Sequence, residues 1–207
     1  MFDRRKLLES IAATRAMSEE DRLRADVYNF LATYLVSKPD AARLAAARSL
    51  SGDDTDFGKA FSALARIAGK LSEPEVVDEY EGLFVGLGRG ELLPYGSYYL
   101  TGFLNEKPLA KLRDDMRALG IERREDVREP EDHIGSLMEM MSGLISGRYG
   151  IPASIETQRG FFMTHVEPWA GHFFKDLEAA KLSRFYQPVG TVGRLFIEIE
   201  KSAFAME

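Results

Sequence analysis

From Glu129 to Met141 the chain reads Glu-Pro-Glu-Asp-His-Ile-Gly-Ser-Leu-Met-Glu-Met-Met, a dense carboxylate cluster ending in a histidine. The cluster runs directly into an apolar, methionine-rich stretch with helical spacing. Glu129, Glu131, Asp132 and the imidazole of His133 therefore stand at the start of a helix whose inner face is soft and apolar. Carboxylates so placed suit the capture of guanidinium groups through charge-assisted hydrogen bonds, and thioethers such as Met138 adapt to apolar partners. The surrounding negative charge favours the charged form of His133, which makes it a donor. Such a site fits a segment that is basic at one end and apolar at the other. Asp132 with Glu129 or Glu131 forms a general acid–base pair on paper, but no nucleophile or substrate-orienting group accompanies them.

The other candidate motifs have weaker chemistry. His133, His165 and His172 are the only histidines. The last two share a helix face if Pro168 does not break the helix, and no compact metal-ligand spacing occurs. Gly86-Leu87-Gly88-Arg89-Gly90 invites a phosphate-loop reading, but a helix precedes these glycines and Pro94 follows them, which points to a helix end and a turn. Tyr95, Tyr98 and Tyr99 crowd a loop with Pro94 and Ser97, a composition that suits either a recognition surface or packing between helices. Trp169, Phe173 and Leu177 recur every fourth residue, a core-type stripe.

These motifs must be positioned by helices. Val27, Phe30, Leu31, Tyr34 and Leu35 form one apolar stripe, with Ser18 and Asp21 supplying a capping pattern at its start. A short Ala-rich helix follows Pro39, and Phe57, Phe61, Leu64, Ala68 and Leu71 mark the next. Ser72-Glu73-Pro74-Glu75 opens a helix carrying Val76, Tyr80, Leu83, Phe84 and Leu87. Residues 92–100 read as a turn-rich loop. Leu109, Leu112, Met116 and Leu119 mark a helix closed by Gly120. Ile134, Leu137, Met138, Met141, Leu144 and Ile145 form the stripe that follows the acidic cluster. Ser154 to Met206 is helical with interruptions at Pro168 and Pro188. No alternating strand pattern appears. The fold expected is a single all-α domain over residues 1–207, a bundle of about nine to eleven helices, with a polar hinge near 120–130.

Composition narrows the function classes. The chain has 207 residues, 45% of them hydrophobic, enough for a sizeable core. It contains no cysteine, which removes disulfides, thiolate catalysis and Cys-based metal sites, and suits a reducing compartment. A formal net charge of −6 disfavours nucleic acid and favours basic partners. No apolar run reaches the length of about 18 residues needed to span a bilayer. Arg4-Arg5-Lys6-Leu7-Leu8 superficially looks like a twin-arginine export signal, yet the charges from Glu9 to Arg24 leave no apolar core behind it. An amphipathic N-terminal helix is the expectation, in a protein that stays in the cytoplasm.

Three blocks together resemble the TorD/DmsD family of redox-enzyme maturation chaperones: Tyr80-Glu81-Gly82-Leu83-Phe84-Val85-Gly86 running into Pro94-Tyr95-Gly96-Ser97-Tyr98-Tyr99; Glu129-Pro130-Glu131-Asp132-His133; and His165-Val166-Glu167-Pro168-Trp169 with Phe173, ending at Phe185-Tyr186. They span about residues 77–200. The resemblance implies an all-helical, non-enzymatic protein. Its partners would be an apo molybdoenzyme catalytic subunit and that subunit's twin-arginine signal peptide, held until the molybdenum cofactor is inserted. It implies no resident cofactor; the molybdenum cofactor is the client's, and is met through the client. The client-binding residues it points to are Leu83, Phe84, Pro94, Tyr95, Ser97, Tyr99, Glu129, Asp132, His133, Met138, His165, Pro168 and Trp169. Tyr95 and Tyr99 stand where some relatives carry Trp. It further implies a monomer in exchange with some dimer. The alternatives are a weak nucleotide-binding or nucleotide-hydrolysing protein and a plain helical scaffold.

Overall fold

The computed structural model describes residues 17–86, 89–123 and 127–206. They form ten α-helices: α1 (Glu19–Leu35), α2 (Ala41–Arg48), α3 (Asp56–Ala68), α4 (Glu73–Tyr80), α5 (Gly96–Thr101), α6 (Lys107–Ala118), α7 (Ile134–Ser146), α8 (Ile155–Phe161), α9 (Glu167–Ala179) and α10 (Tyr186–Met206). Two π-turns, Glu81–Val85 and Phe162–Val166, extend α4 and join α8 to α9. Among the described residues the only β-type pairing is an isolated antiparallel bridge between Tyr95 and His133. The all-α expectation holds. Arg4 to Leu8, Leu87 and part of the expected hinge lie outside the described residues.

Local chemistry starts the helices where the sequence places the caps. Ser18 Oγ accepts from Asp21 N at 2.9 Å, Asp40 Oδ1 from Arg43 N at 2.8 Å, and Thr55 Oγ1 from Gly58 N at 3.0 Å. Ser72 and Glu75 form the expected capping box. Each cap satisfies an otherwise orphaned N–H and contributes about 1 kcal/mol.

Packing then sorts the helices. Helix α1 lies along α7, α9 pairs with α10, and α10 continues onto α3, which carries α2. The α9–α10 contact is close because α10 presents Gly190 and Gly193; a Cβ on Gly193 would fall 2.2 Å from the Phe174 ring. Trp169, Tyr28, Tyr186, Phe162, Phe173, Phe174 and Phe185 are fully buried and fill the centre. Two buried carboxylates tie distant helices together. Glu200 accepts from Arg24 Nε at 2.8 Å and from Tyr28 Oη at 2.9 Å, joining α10 to α1. Glu79 on α4 accepts from the backbone N–H groups of Arg184, Phe185 and Tyr186 at 2.7, 3.0 and 2.9 Å, capping α10 from outside.

Three expectations need correction. The stretch 92–100 is not all loop: residues from Gly96 onward wind into α5. Pro168 does not separate two helices. It sits in the first turn of α9 immediately after the π-turn, and the wider turn absorbs the carbonyl that a proline cannot bond. That extra residue also breaks the shared face of His165 and His172, so His165 is buried and His172 exposed. Pro188 likewise lies inside the first turn of α10; the chain breaks earlier, between Ala179 and Tyr186.

Glu79→Ala leaves three buried or half-buried N–H groups without their acceptor. We expect it to destabilise the fold by about 2–4 kcal/mol, read as a lowered urea midpoint at unchanged m-value. A midpoint within error of the wild type would show that water replaces the carboxylate at no cost.

Candidate functional site

The acidic cluster and the tyrosine segment meet at one backbone clamp. Gly96 N donates to Asp132 O at 2.9 Å and Ile134 N donates to Pro94 O at 2.8 Å. Asp132 adds its side chain, Oδ2 accepting from Ser97 N at 2.7 Å at the start of α5. Asp132 is only 3% exposed and Ser97 is fully buried. Asp132 Oδ1 and Ser97 Oγ have no hydrogen-bond partner among the described residues. Asp132 also lines a cavity of about 50 Å³ shared with Lys111, His165 and Trp169. On the far side of Gly96 lies the Trp169 indole, whose Nε1 donates to His165 O at 2.8 Å; a Cβ on Gly96 would stand 3.0 Å from that nitrogen. Only a glycine lets α5 thread between the acidic segment and Trp169 without displacing the ring.

His133 is the N-cap of α7. Its Nδ1 accepts from Gly135 N at 3.1 Å and its ring meets Tyr95 edge-on at 5.4 Å. The expectation of a charged donor is therefore corrected. Burial pushes His133 down to about 4, against the pull of Glu129 and Asp132, because desolvating the imidazolium costs more than their charges return. His165 is also lowered by burial, although its Nε2 lies 2.7 Å from Asp115 Oδ2 and that carboxylate acts to raise it.

The residues named from the resemblance fall into different settings. Pro94, Tyr95, Ser97, Asp132 and His133 form the clamp, while His165, Trp169 and Tyr99 back it from α5 and α9. Tyr99 Oη donates to Asp176 at 2.9 Å and its ring packs on Trp169. Leu83 and Met138 are wholly buried in the core, and Phe84 packs on Tyr80 and Tyr186. Pro168 is exposed beside Trp169. Backbone hydrogen bonds join the Tyr95 segment to the start of α7, and the small cavity lined by Gly96, Asp132 and Leu137 lies beside that seam.

An open site lies beside it. Glu129 and Glu131 point away from the clamp into a recess of about 250 Å³, together with Glu122, Glu139, Arg123 and Arg148, over Met116, Ile121, Met140 and Tyr149. Glu129 accepts from Tyr95 Oη, and burial followed by this bond raises the phenol above its ordinary value. Glu131 takes Arg113 at 2.7 Å and Arg123 at 3.5 Å; partial burial opposes its ionisation, but Arg113 and Arg123 hold it below the usual carboxylate range. Glu139 and Met140 are the residues that the reading of the sequence passed over. Ser136, Glu139, Met140 and Gly143 recur at helical spacing, a second face of α7 beside the apolar stripe. The pattern is in the sequence, but a helix with one obvious core face conceals it.

Because His133 is neutral in the folded chain and titrates near its ordinary value when unfolded, its contribution is complete above pH 6.5 and fades as pH falls toward 4. At 1.36 kcal/mol per unit this amounts to about 3 kcal/mol. His133→Asn keeps a capping acceptor and removes the titration. Urea unfolding between pH 7 and 4 should show a flatter loss of stability in the variant; parallel curves would place the proton elsewhere.

Comparison with known proteins agrees with this architecture. The family model described as nitrate reductase delta subunit matches residues 51–175. The chaperone protein TorD of Vibrio cholerae serotype O1 is 24% identical over 198 residues, covering 86% of this chain and 90% of its own. A Haemophilus influenzae protein described as a Tat proofreading chaperone, DmsD, is 28% identical over 131 residues, 62% of each chain. A crystal structure described as a redox enzyme maturation protein from Archaeoglobus fulgidus superposes with a TM-score of 0.56 at 22% identity, over 84% of this chain and 93% of that one, and so shares the fold. A match over more than half of its length, with the helical architecture around it, shows that the chain belongs to the nitrate reductase delta subunit family, the family of the TorD and DmsD chaperones.

Proposed function

We propose that the chain is a cytoplasmic chaperone, without chemistry of its own, that binds an apo molybdoenzyme and its twin-arginine signal peptide, assists insertion of the client's cofactor and delays export. The carrying observation is the recess, where four carboxylates outnumber the two guanidinium groups of Arg123 and Arg148 over a floor of Met116, Ile121, Met140 and Tyr149. A signal of this class offers paired guanidinium groups followed by an apolar segment, and each half finds its complement there. Methionines in the floor accommodate varied apolar side chains. Family membership and the chaperone names of the relatives support the same reading.

In this proposal Glu129, Glu139 and Glu122 meet the arginines at the rim. Tyr95 orients Glu129. Asp132, His133, Ser97 and Pro94 keep the rim in place through the clamp, with His165, Trp169 and Tyr99 behind them. Leu83, Phe84 and Met138 act through the core that supports these segments. Pro168, exposed on α9, is available to the mature part of a client. The protein works as a monomer in exchange with some dimer through the segment around residues 120–130.

A fluorescent synthetic peptide with two adjacent arginines and a leucine-rich tail tests the reading by anisotropy titration. It should bind, and replacing both arginines with alanine should weaken it. Glu129→Gln/Glu139→Gln should cost about 1–2 kcal/mol, roughly 5–30-fold, the sum of two modest charge contacts. The variant's affinity should also depend less on salt than the wild type's. Equal affinity for the two peptides would remove the recess from the mechanism.

A further inference from the structure

One carboxylate of the recess already carries guanidinium groups. Glu131 is held by two arginines, one on each oxygen. Arg113 reaches Oε2 with both Nε and Nη2, at 3.0 and 2.7 Å. Arg123 faces Oε1 through Nη1 at 3.5 Å, longer than the ordinary N–H···O distance of about 2.9 Å. Its Nε and Nη2 donate instead to Val127 O, the former at 2.8 Å. Glu131 thus has one well-made pair and one loose one.

The two arginines also differ in place. Arg123 lines the recess together with Glu131, whereas Arg113 approaches the same carboxylate from α6 and is not part of the lining. The side chain of Glu131 is 10% exposed and that of Arg123 37%. A guanidinium entering from the recess therefore reaches Oε1 at the position that Arg123 holds. It brings the same planar fork of donors, and at an ordinary distance it makes the closer contact.

Resting on the reading of the recess given above, we infer that Arg123 is a place-holder for the ligand. A ligand guanidinium takes over Glu131 Oε1, behind the rim carboxylates, and Arg123 turns away from it. Between clients Arg123 keeps the half-buried carboxylate compensated, which matters because an unpaired charge removed from water is costly. The ligand then exchanges one ion pair for another instead of making a new one. Glu131 adds only the difference to affinity, and Arg123 returns to it as the ligand leaves. Arg123 therefore sets how tightly the recess holds an arginine and how readily it lets go.

The anisotropy titration with the twin-arginine peptide reads the exchange. Arg123→Ala should bind the peptide about fivefold more tightly than the wild type, the scale of one ion pair. In a Glu131→Gln background the same substitution should leave affinity nearly unchanged, since the contact it releases is already gone. Plain repulsion between Arg123 and a cationic ligand gives the gain in both backgrounds, and that result overturns the inference. Equal affinity of Arg123→Ala and the wild type also overturns it. Because Arg123→Ala also frees Val127 O, a second measurement uses the unsubstituted chain. The Nε–Hε resonance of Arg123 should shift or broaden at saturation with the peptide, while that of Arg113 stays in place. An unmoved Arg123 resonance with the peptide bound overturns the exchange and leaves the proposed function standing. If the peptide binds neither the wild type nor Arg123→Ala, the proposed function fails and the place-holder with it.

Discussion

The site depends on one short stretch of backbone pairing. Two N–H···O bonds between Pro94–Gly96 and Asp132–Ile134, with the Asp132 carboxylate on Ser97 N, hold together segments 35 or more residues apart in the chain. They do so out of water, where a hydrogen bond is electrostatically stronger and an unmade one is costly. Once this clamp is made, α5 is set against Trp169, α7 receives its N-cap from His133, and Glu129 and Glu131 are left at the edge of the recess.

That division explains how an acidic cluster can be both framework and surface. Asp132 and His133 are desolvated and hydrogen-bonded to backbone, so they determine geometry. Glu129 keeps contact with solvent beside Tyr95, while Glu131 is half-buried against Arg113 and Arg123, and together they set the field of the recess. The effect on His133 shows which influence dominates. Neighbouring carboxylates acting through water would raise its proton affinity, whereas removal from water lowers it by more.

The helical frame supports this with few but widely spaced polar links. Glu200 joins α10 to α1 through Arg24 and Tyr28, and Glu79 joins α4 to the start of α10. Each carboxylate is buried and satisfied by several donors, which makes its removal expensive and its position well defined. The two π-turns occur where α4 turns toward the glycine segment and where α8 passes into α9. Such turns shift the helical register by one residue, and here the shift turns His165 inward toward Asp115 while His172 faces out.

Much of this was legible in the residues themselves. Apolar spacing of 3–4 residues identified α1, α3, α6 and α7, and Ser18, Ser72-Glu75 and Gly120 marked the starts of α1 and α4 and the end of α6, because caps and periodicity are local chemistry. The family resemblance followed from the order of three motifs. Other features were decided only in three dimensions. Whether a carboxylate is solvated or buried depends on segments far away in the chain, so Asp132 and Glu129 looked alike in sequence and differ in the structure. The protonation of His133 depends on that same burial, the register between His165 and His172 on a π-turn that no single residue announces, and the recess on α6, α7 and the Ile121–Arg123 segment meeting. Sequence determines what each residue can do; tertiary packing decides how much water it keeps, and with that which of those capacities it exercises.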